Sequence, residues 1–140
     1  MEEIKRVSKQ VLVIRKDLNM RKGKMVAQGA HASMSAILSQ MKSISGTNLG
    51  KPETKELIVY PYSAVDDWLN GRFTKICVSV NSEAELDEVY NKAKSKGLIC
   101  SIITDAGLTE FAGVPTKTCC SIGPVWSDEV DEITGKLPLL

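Results

Sequence analysis

The stretch from Val11 to Ala36, VLVIRKDLNMRKGKMVAQGAHASMSA, constrains the fold more than any other part of the chain. Val11, Leu12, Val13 and Ile14 make a short apolar run of the kind that forms a strand covered on both faces. Arg15, Lys16, Asp17, Arg21, Lys22 and Lys24 then crowd a turn with charge, and Gly23 stands where a helix should begin. A strand feeding a basic turn and a helix N-terminus suits an anion, because free backbone N–H groups point outward there. Within the helix, Lys24, Gln28, His31 and Ser35 recur at helical spacing and, at about 100° per residue, share a sector of roughly 60°. Ala27, Ala30, Met34, Ile37, Leu38 and Met41 lie about 90° round from that row. This predicts an apolar stripe against the sheet, with the polar row as the wall of a cleft.

The rest of the chain fits a single domain over residues 1–140, long enough for a real core. The element order is β-α-α-β-α-β-β-α, with strands near 10–15, 74–80, 98–104 and 117–122. The first helix is expected over 24–43. Ser63 caps a short helix through Asn70, ended by Gly71, and Asn81 or Ser82 caps another running to Lys96. A last helix spans 127–134. Residues 45–57, SGTNLGKPETKEL, read as an exposed loop, extended by a short piece to Tyr62 as a loop insertion. Together these elements predict an α/β fold: a four-stranded mixed sheet with helices on both faces.

Charge is distributed unevenly. Residues 1–24 hold eight Lys/Arg against three Asp/Glu, whereas the remainder is net acidic. A basic face near one end of the sheet would meet phosphate. No apolar run is long enough to span a membrane, and MEEIKRVSKQ has no signal-peptide core, so cytoplasmic residence is expected. The cysteines, Cys77, Cys100, Cys119 and Cys120, contain no CxxC pair and are expected to be buried free thiols. Adjacent Cys119 and Cys120 should point to opposite faces of the sheet.

A second polar cluster, TDAGLTEFAGVPTKT, links the last two strands. An Asp-Ala-Gly turn at a strand end exposes the carboxylate of Asp105, which can orient or deprotonate water. Thr109, Thr116 and Thr118 can hold a polar substrate. The same residue types also brace ordinary turns. His31 is the single histidine and there is no HExxH, which argues against a zinc hydrolase and against any required cofactor. Gly23-Lys24 lacks the earlier glycine of a P-loop, and there is no GxSxG elbow or GxGxxG turn.

RKDLNMRKGKMVAQGAHAS, TDAGLTE and CSIGPVWSDEVDEITGKLPLL, in this order, resemble the signature of the type 2 peptidyl-tRNA hydrolases. The resemblance covers Lys9 to Leu140. It implies a four-stranded mixed sheet, metal-free hydrolysis of the ester joining a peptide to the 3′ ribose of tRNA, and frequent dimers. Carried across by position, the family's active-site residues fall on Lys24, Gln28, His31, Asp105, Thr109 and Thr118. Thr118 is matched by counting back from Ile122-Gly123-Pro124, with Thr116 the other threonine of a loop one residue longer than the family form.

On this reading, Asp105 polarises a water, and Lys24 with His31 stabilises developing charge. Thr109 and Thr118 hold the peptidyl-adenosine end, while Arg15, Lys16, Arg21 and Lys22 meet phosphates. His31 as the base is the open alternative. A catalytically silent tRNA- or protein-binding module on the same fold is the rival to an enzyme.

Overall fold

The computed structural model describes residues 5–44 and 54–140. The elements run β1 (Ser8–Arg15), α1 (Lys22–Leu38), β2 (Lys42–Ile44), β3 (Thr54–Glu56), α2 (Ala64–Asn70), β4 (Lys75–Val80), α3 (Glu83–Ser95), β5 (Cys100–Asp105), β6 (Thr116–Trp126) and α4 (Ser127–Thr134). Four strands form one sheet in the order β4-β1-β6-β5. β1 pairs parallel with β4 and antiparallel with β6, and β6 pairs antiparallel with β5. This is the mixed sheet the element order implies. The parallel β1–β4 link requires a crossover connection, and the chain between them contains α1 and α2.

Alternation along β1 divides the core. Val11 and Val13 face α3 and α4 with Leu86, Val89 and Val130, while Leu12 and Ile14 face α1 with Ala32 and Ile103. Cys120 lies in the first cluster and Cys119 in the second, on opposite faces as the sequence indicates. Burial raises both thiols, Cys119 to about 11. All four cysteines are free, but only Cys119 and Cys120 are buried; Cys77 is exposed and Cys100 half-buried.

The helix starts follow from local chemistry. Ser63 accepts the N–H of Asp66, and Ser82 accepts that of Glu85, whose carboxylate in turn accepts the N–H of Asn81. α1 is shorter than expected. It stops at Leu38, because Lys42–Ile44 leaves to pair antiparallel with Thr54–Glu56. The end of the expected loop is therefore a strand; its residues 45–53 lie outside the described residues.

The orientation of α1 reverses one expectation. Its buried residues are Gln28, Gly29, Ala32 and Ala36, whereas Ala27, Ala30, Met34 and Leu38 are exposed. The reason is space. The sheet beneath already fills the interface with Leu12, Ile14 and Ile103. A helix can then approach closely only through small side chains. A Cβ on Gly29 would already touch Leu12 at 3.7 Å.

Candidate active site

The end of β5 and the start of α1 meet where the basic turn leaves β1. There Lys24 Nζ donates to Asp105 Oδ1 at 2.9 Å and to Thr109 Oγ1 at 3.0 Å. Gln28, one turn further along α1, donates from Nε2 to the same Oδ1 at 3.3 Å. The other oxygen, Oδ2, accepts the N–H of Gly107 at 2.9 Å. Oδ1 is thus engaged twice and Oδ2 once, leaving Oδ2 an acceptor position for a further donor. Gly107 is required by this turn. Its φ is +81°, and a Cβ would lie 2.3 Å from the carbonyl oxygen of Val114.

These bonds fix the ionisation of the carboxylate. The hydrogen bond from Lys24 holds the Asp105 carboxyl below its ordinary 3.8, and the Gly107 N–H lowers it further. Burial opposes the shift, and the charge of Lys24 and the Gln28 bond add to it. Asp105 is therefore an anion that orients donors more readily than it takes up protons.

Thr118 occupies a position that strand alternation does not give. Ile103 pairs with Cys119 but Thr104 pairs with Lys117, so Thr118 is the extra residue of a β-bulge. Lys117 consequently turns to Asp87 at 3.0 Å, and Thr118 turns to α1, where its hydroxyl donates to Gln28 Oε1 at 2.5 Å. Thr118 is fully buried. Its hydroxyl is spent on Gln28, whereas the sequence expects it to hold substrate directly. Thr118 thus holds Gln28, which in turn donates to Asp105.

Other expected site residues fall elsewhere. The Arg15 guanidinium donates to both oxygens of Asp17 at 3.2 and 2.6 Å and to the carbonyl of Lys117 at 3.0 Å. These bonds tie the end of β1 to β6 and engage three of the five guanidinium N–H groups. The Thr116 hydroxyl donates to the carbonyl of Val114, closing its own loop. His31 is exposed and has no hydrogen bond among the described residues, so the structure does not bring it into the Lys24–Asp105 cluster. Lys16, Arg21 and Lys22 stand exposed around the start of α1, Arg21 with Glu110 at 3.9 Å. Among the described residues no three His, Cys, Asp or Glu side chains converge as metal ligands would.

Residues 8–140 match the family described as Peptidyl-tRNA hydrolase PTH2. The chain belongs to this family. It is 46% identical over 132 residues to the peptidyl-tRNA hydrolase of Methanocaldococcus jannaschii, a match covering 94% of this chain and 99% of that protein. It is 39% identical to the peptidyl-tRNA hydrolases of Methanopyrus kandleri, covering 94% of this chain and 97% of that protein, and of Aeropyrum pernix, covering 94% of each. A solved structure of a protein of unknown function from Agrobacterium shares the fold at 9% identity, with a TM-score of 0.53 over 95% of this chain and 97% of that one.

Within this PTH2 chain, five of the six positions that the sequence signature marks form one hydrogen-bonded chain: Thr118, Gln28, Asp105, Lys24 and Thr109. Sequence reading did not foresee Gly107 as the second ligand of Asp105. The Asp-Ala-Gly spelling carried that signal, since an Asp side chain commonly accepts the N–H two residues on.

Proposed function

We propose that the protein hydrolyses the ester between a peptide and the 3′ ribose of tRNA, and that the Lys24–Asp105–Thr109 cluster is the reaction centre. The observation that carries this reading is the shielding of that cluster. The Lys24 and Asp105 side chains are 14% and 15% exposed, in a member of a family described as peptidyl-tRNA hydrolases.

The chemistry follows from the bonding. A water donates to the unused acceptor position of Asp105 Oδ2 and attacks the ester carbonyl carbon. As the new C–O bond forms, Asp105 holds the water in line, and the proton the water sheds passes on toward the 3′ oxygen instead of resting on the carboxylate. Lys24 uses two hydrogens on Asp105 and Thr109; its third N–H and the Thr109 hydroxyl face the developing oxyanion. Collapse breaks the bond to the 3′ oxygen, which leaves with the proton the water has shed. Ester and water thus become carboxylic acid and alcohol, with no other reactant and no metal. Asp105 rather than His31 activates the water, because His31 has no bond to the cluster. Lys16, Arg21 and Lys22 attract the phosphates of the acceptor end.

No described helix is long and apolar enough to cross a membrane. With a tRNA ester as substrate, we place the protein in the cytoplasm and read the chain as a single catalytic domain.

The outer face of α1 supports a homodimer. From Met25 to Met41 there is no Asp, Glu, Lys or Arg, and Val26, Met34 and Leu38 are each more than half exposed. Contiguous exposed apolar surface on a helix is the usual mark of an interface. A two-fold contact would set this face against itself with no like charges opposed, and Ala27 and Ala30 would let two backbones approach.

A turnover assay tests the catalytic reading. N-acetyl-aminoacyl-tRNA should be cleaved over many cycles, unblocked aminoacyl-tRNA much more slowly, and exhaustive chelation should leave the rate unchanged. Stoichiometric binding of tRNA without ester cleavage would instead identify a silent binding module.

A further inference from the structure

The connection from β5 to β6 turns apolar side chains into solvent directly beside the reacting groups. Leu108 sits between Gly107, which holds Asp105, and Thr109, which accepts from Lys24; it is 87% exposed. Val114 is 60% exposed. The backbone that carries them is fixed. The N–H of Gly113 donates to the carbonyl of Gly107 at 2.8 Å, and that of Val114 to Phe111 at 2.9 Å. The Gly107 backbone lies directly against that of Val114, so the stretches of loop that carry Leu108 and Val114 are neighbours.

An ester has two flanks. The alcohol flank of a tRNA ester is a nucleotide chain with a phosphate at each linkage, whereas the acyl flank is an amino-acid side chain. The exposed cations Lys16, Arg21 and Lys22 all lie on the β1–α1 side of the centre. From Ala106 to Pro115 there is no Lys or Arg, and the single charge is Glu110, near Arg21 at 3.9 Å. Such a loop repels phosphate and offers hydrocarbon, so it faces the acyl flank.

We propose that Leu108 and Val114 form a subsite for the side chain of the residue esterified to the ribose, and that it favours apolar residues. This rests on the peptidyl-tRNA reading and goes beyond it by assigning specificity to the acyl side. Both side chains are exposed, so replacing them should leave the fold intact.

The test uses one tRNA body charged with N-acetyl-leucine or with N-acetyl-glycine. The ratio of kcat/KM for the leucyl over the glycyl substrate should be roughly tenfold in the parent protein. In the Leu108→Ser/Val114→Ser double variant it should fall close to one. A parent ratio near one overturns the subsite, as does a ratio unchanged in the double variant. A loss shared equally by both substrates would place these side chains on the nucleotide instead, and so also overturns it. A parent that cleaves neither substrate sinks the hydrolase reading itself, a failure distinct from a failure of the subsite.

Discussion

Lys24 Nζ lies 2.9 Å from Asp105 Oδ1, although 81 residues separate the two in the chain. The contact joins the first turn of α1 to the last residue of β5, and it is the main cause of the lowered Asp105 pKa. Lys24→Met removes that cause while leaving the Gly107 and Gln28 bonds in place. The Asp105 carboxyl should then titrate at a higher pH, read by NMR of its carboxyl carbon. The stability consequence has a definite sign. A depressed folded pKa contributes stability above the unfolded value of about 3.9, and this is lost as pH falls through the folded pKa. The parent should therefore lose more thermal stability below about pH 4 than the variant does. An Asp105 pKa unmoved by the substitution would show that Lys24 is not its cause.

Thr118→Val tests the buried relay. Valine fills the same volume but leaves Gln28 Oε1 without its donor, at a cost of about 1–3 kcal/mol in unfolding free energy. Gln28 should loosen its hold on Asp105, so kcat should fall with KM nearly unchanged. Adding Gln28→Leu removes the orphaned acceptor and should recover much of the stability without recovering kcat. Recovery of both would mean that Thr118 and Gln28 serve packing alone.

The sequence makes the last helix, both side-chain caps and the mixed sheet legible, because each rests on short-range signals: Ser63 and Ser82 before their helices, Gly71 after one, and a β-branched run at Val11–Ile14. Lys24, Gln28, Asp105 and Thr109 are legible through helical spacing and an Asp-Ala-Gly turn. Thr118 is a different matter. Strict alternation would group it with Cys120 on the α3 side, and only the bulge returns it to α1. A one-residue slip in pairing leaves no mark on composition or periodicity. For Arg15, the contact with Asp17 is local, but the one with the carbonyl of Lys117 becomes apparent only when β1 and β6 are paired.

Steering and chemistry should separate. Asp105→Asn keeps the size of the side chain but removes the charge that polarises water, so kcat should drop by about a hundredfold or more. Arg21 and Lys22 are exposed and outside the hydrogen-bonded cluster. Changing both to alanine should raise KM and make the slope of log Kd against log salt shallower by roughly 1.5, as two phosphate contacts are lost. The two effects should add in the combined variant. A loss of kcat in the Arg21/Lys22 variant, with Asp105→Asn turning over normally, would reverse these assignments.

The outer face of α1 poses the remaining question of packing. Periodicity identified Ala27, Ala30, Met34 and Leu38 correctly as one apolar stripe, but small residues won the place against the sheet, and the stripe faces outward. If a second copy covers it, each charge added there is opposed by its own symmetry mate. Met34→Lys/Leu38→Lys would bring four ammonium groups into one two-fold contact and desolvate them. The parent should then migrate at twice the chain mass in light scattering coupled to size exclusion, and the double variant at the chain mass. Both side chains are solvent-facing within one chain, so the variant's helical content should be unchanged by circular dichroism. A parent that stays monomeric well above micromolar concentration, with an apolar stripe still exposed, would rule out the dimer.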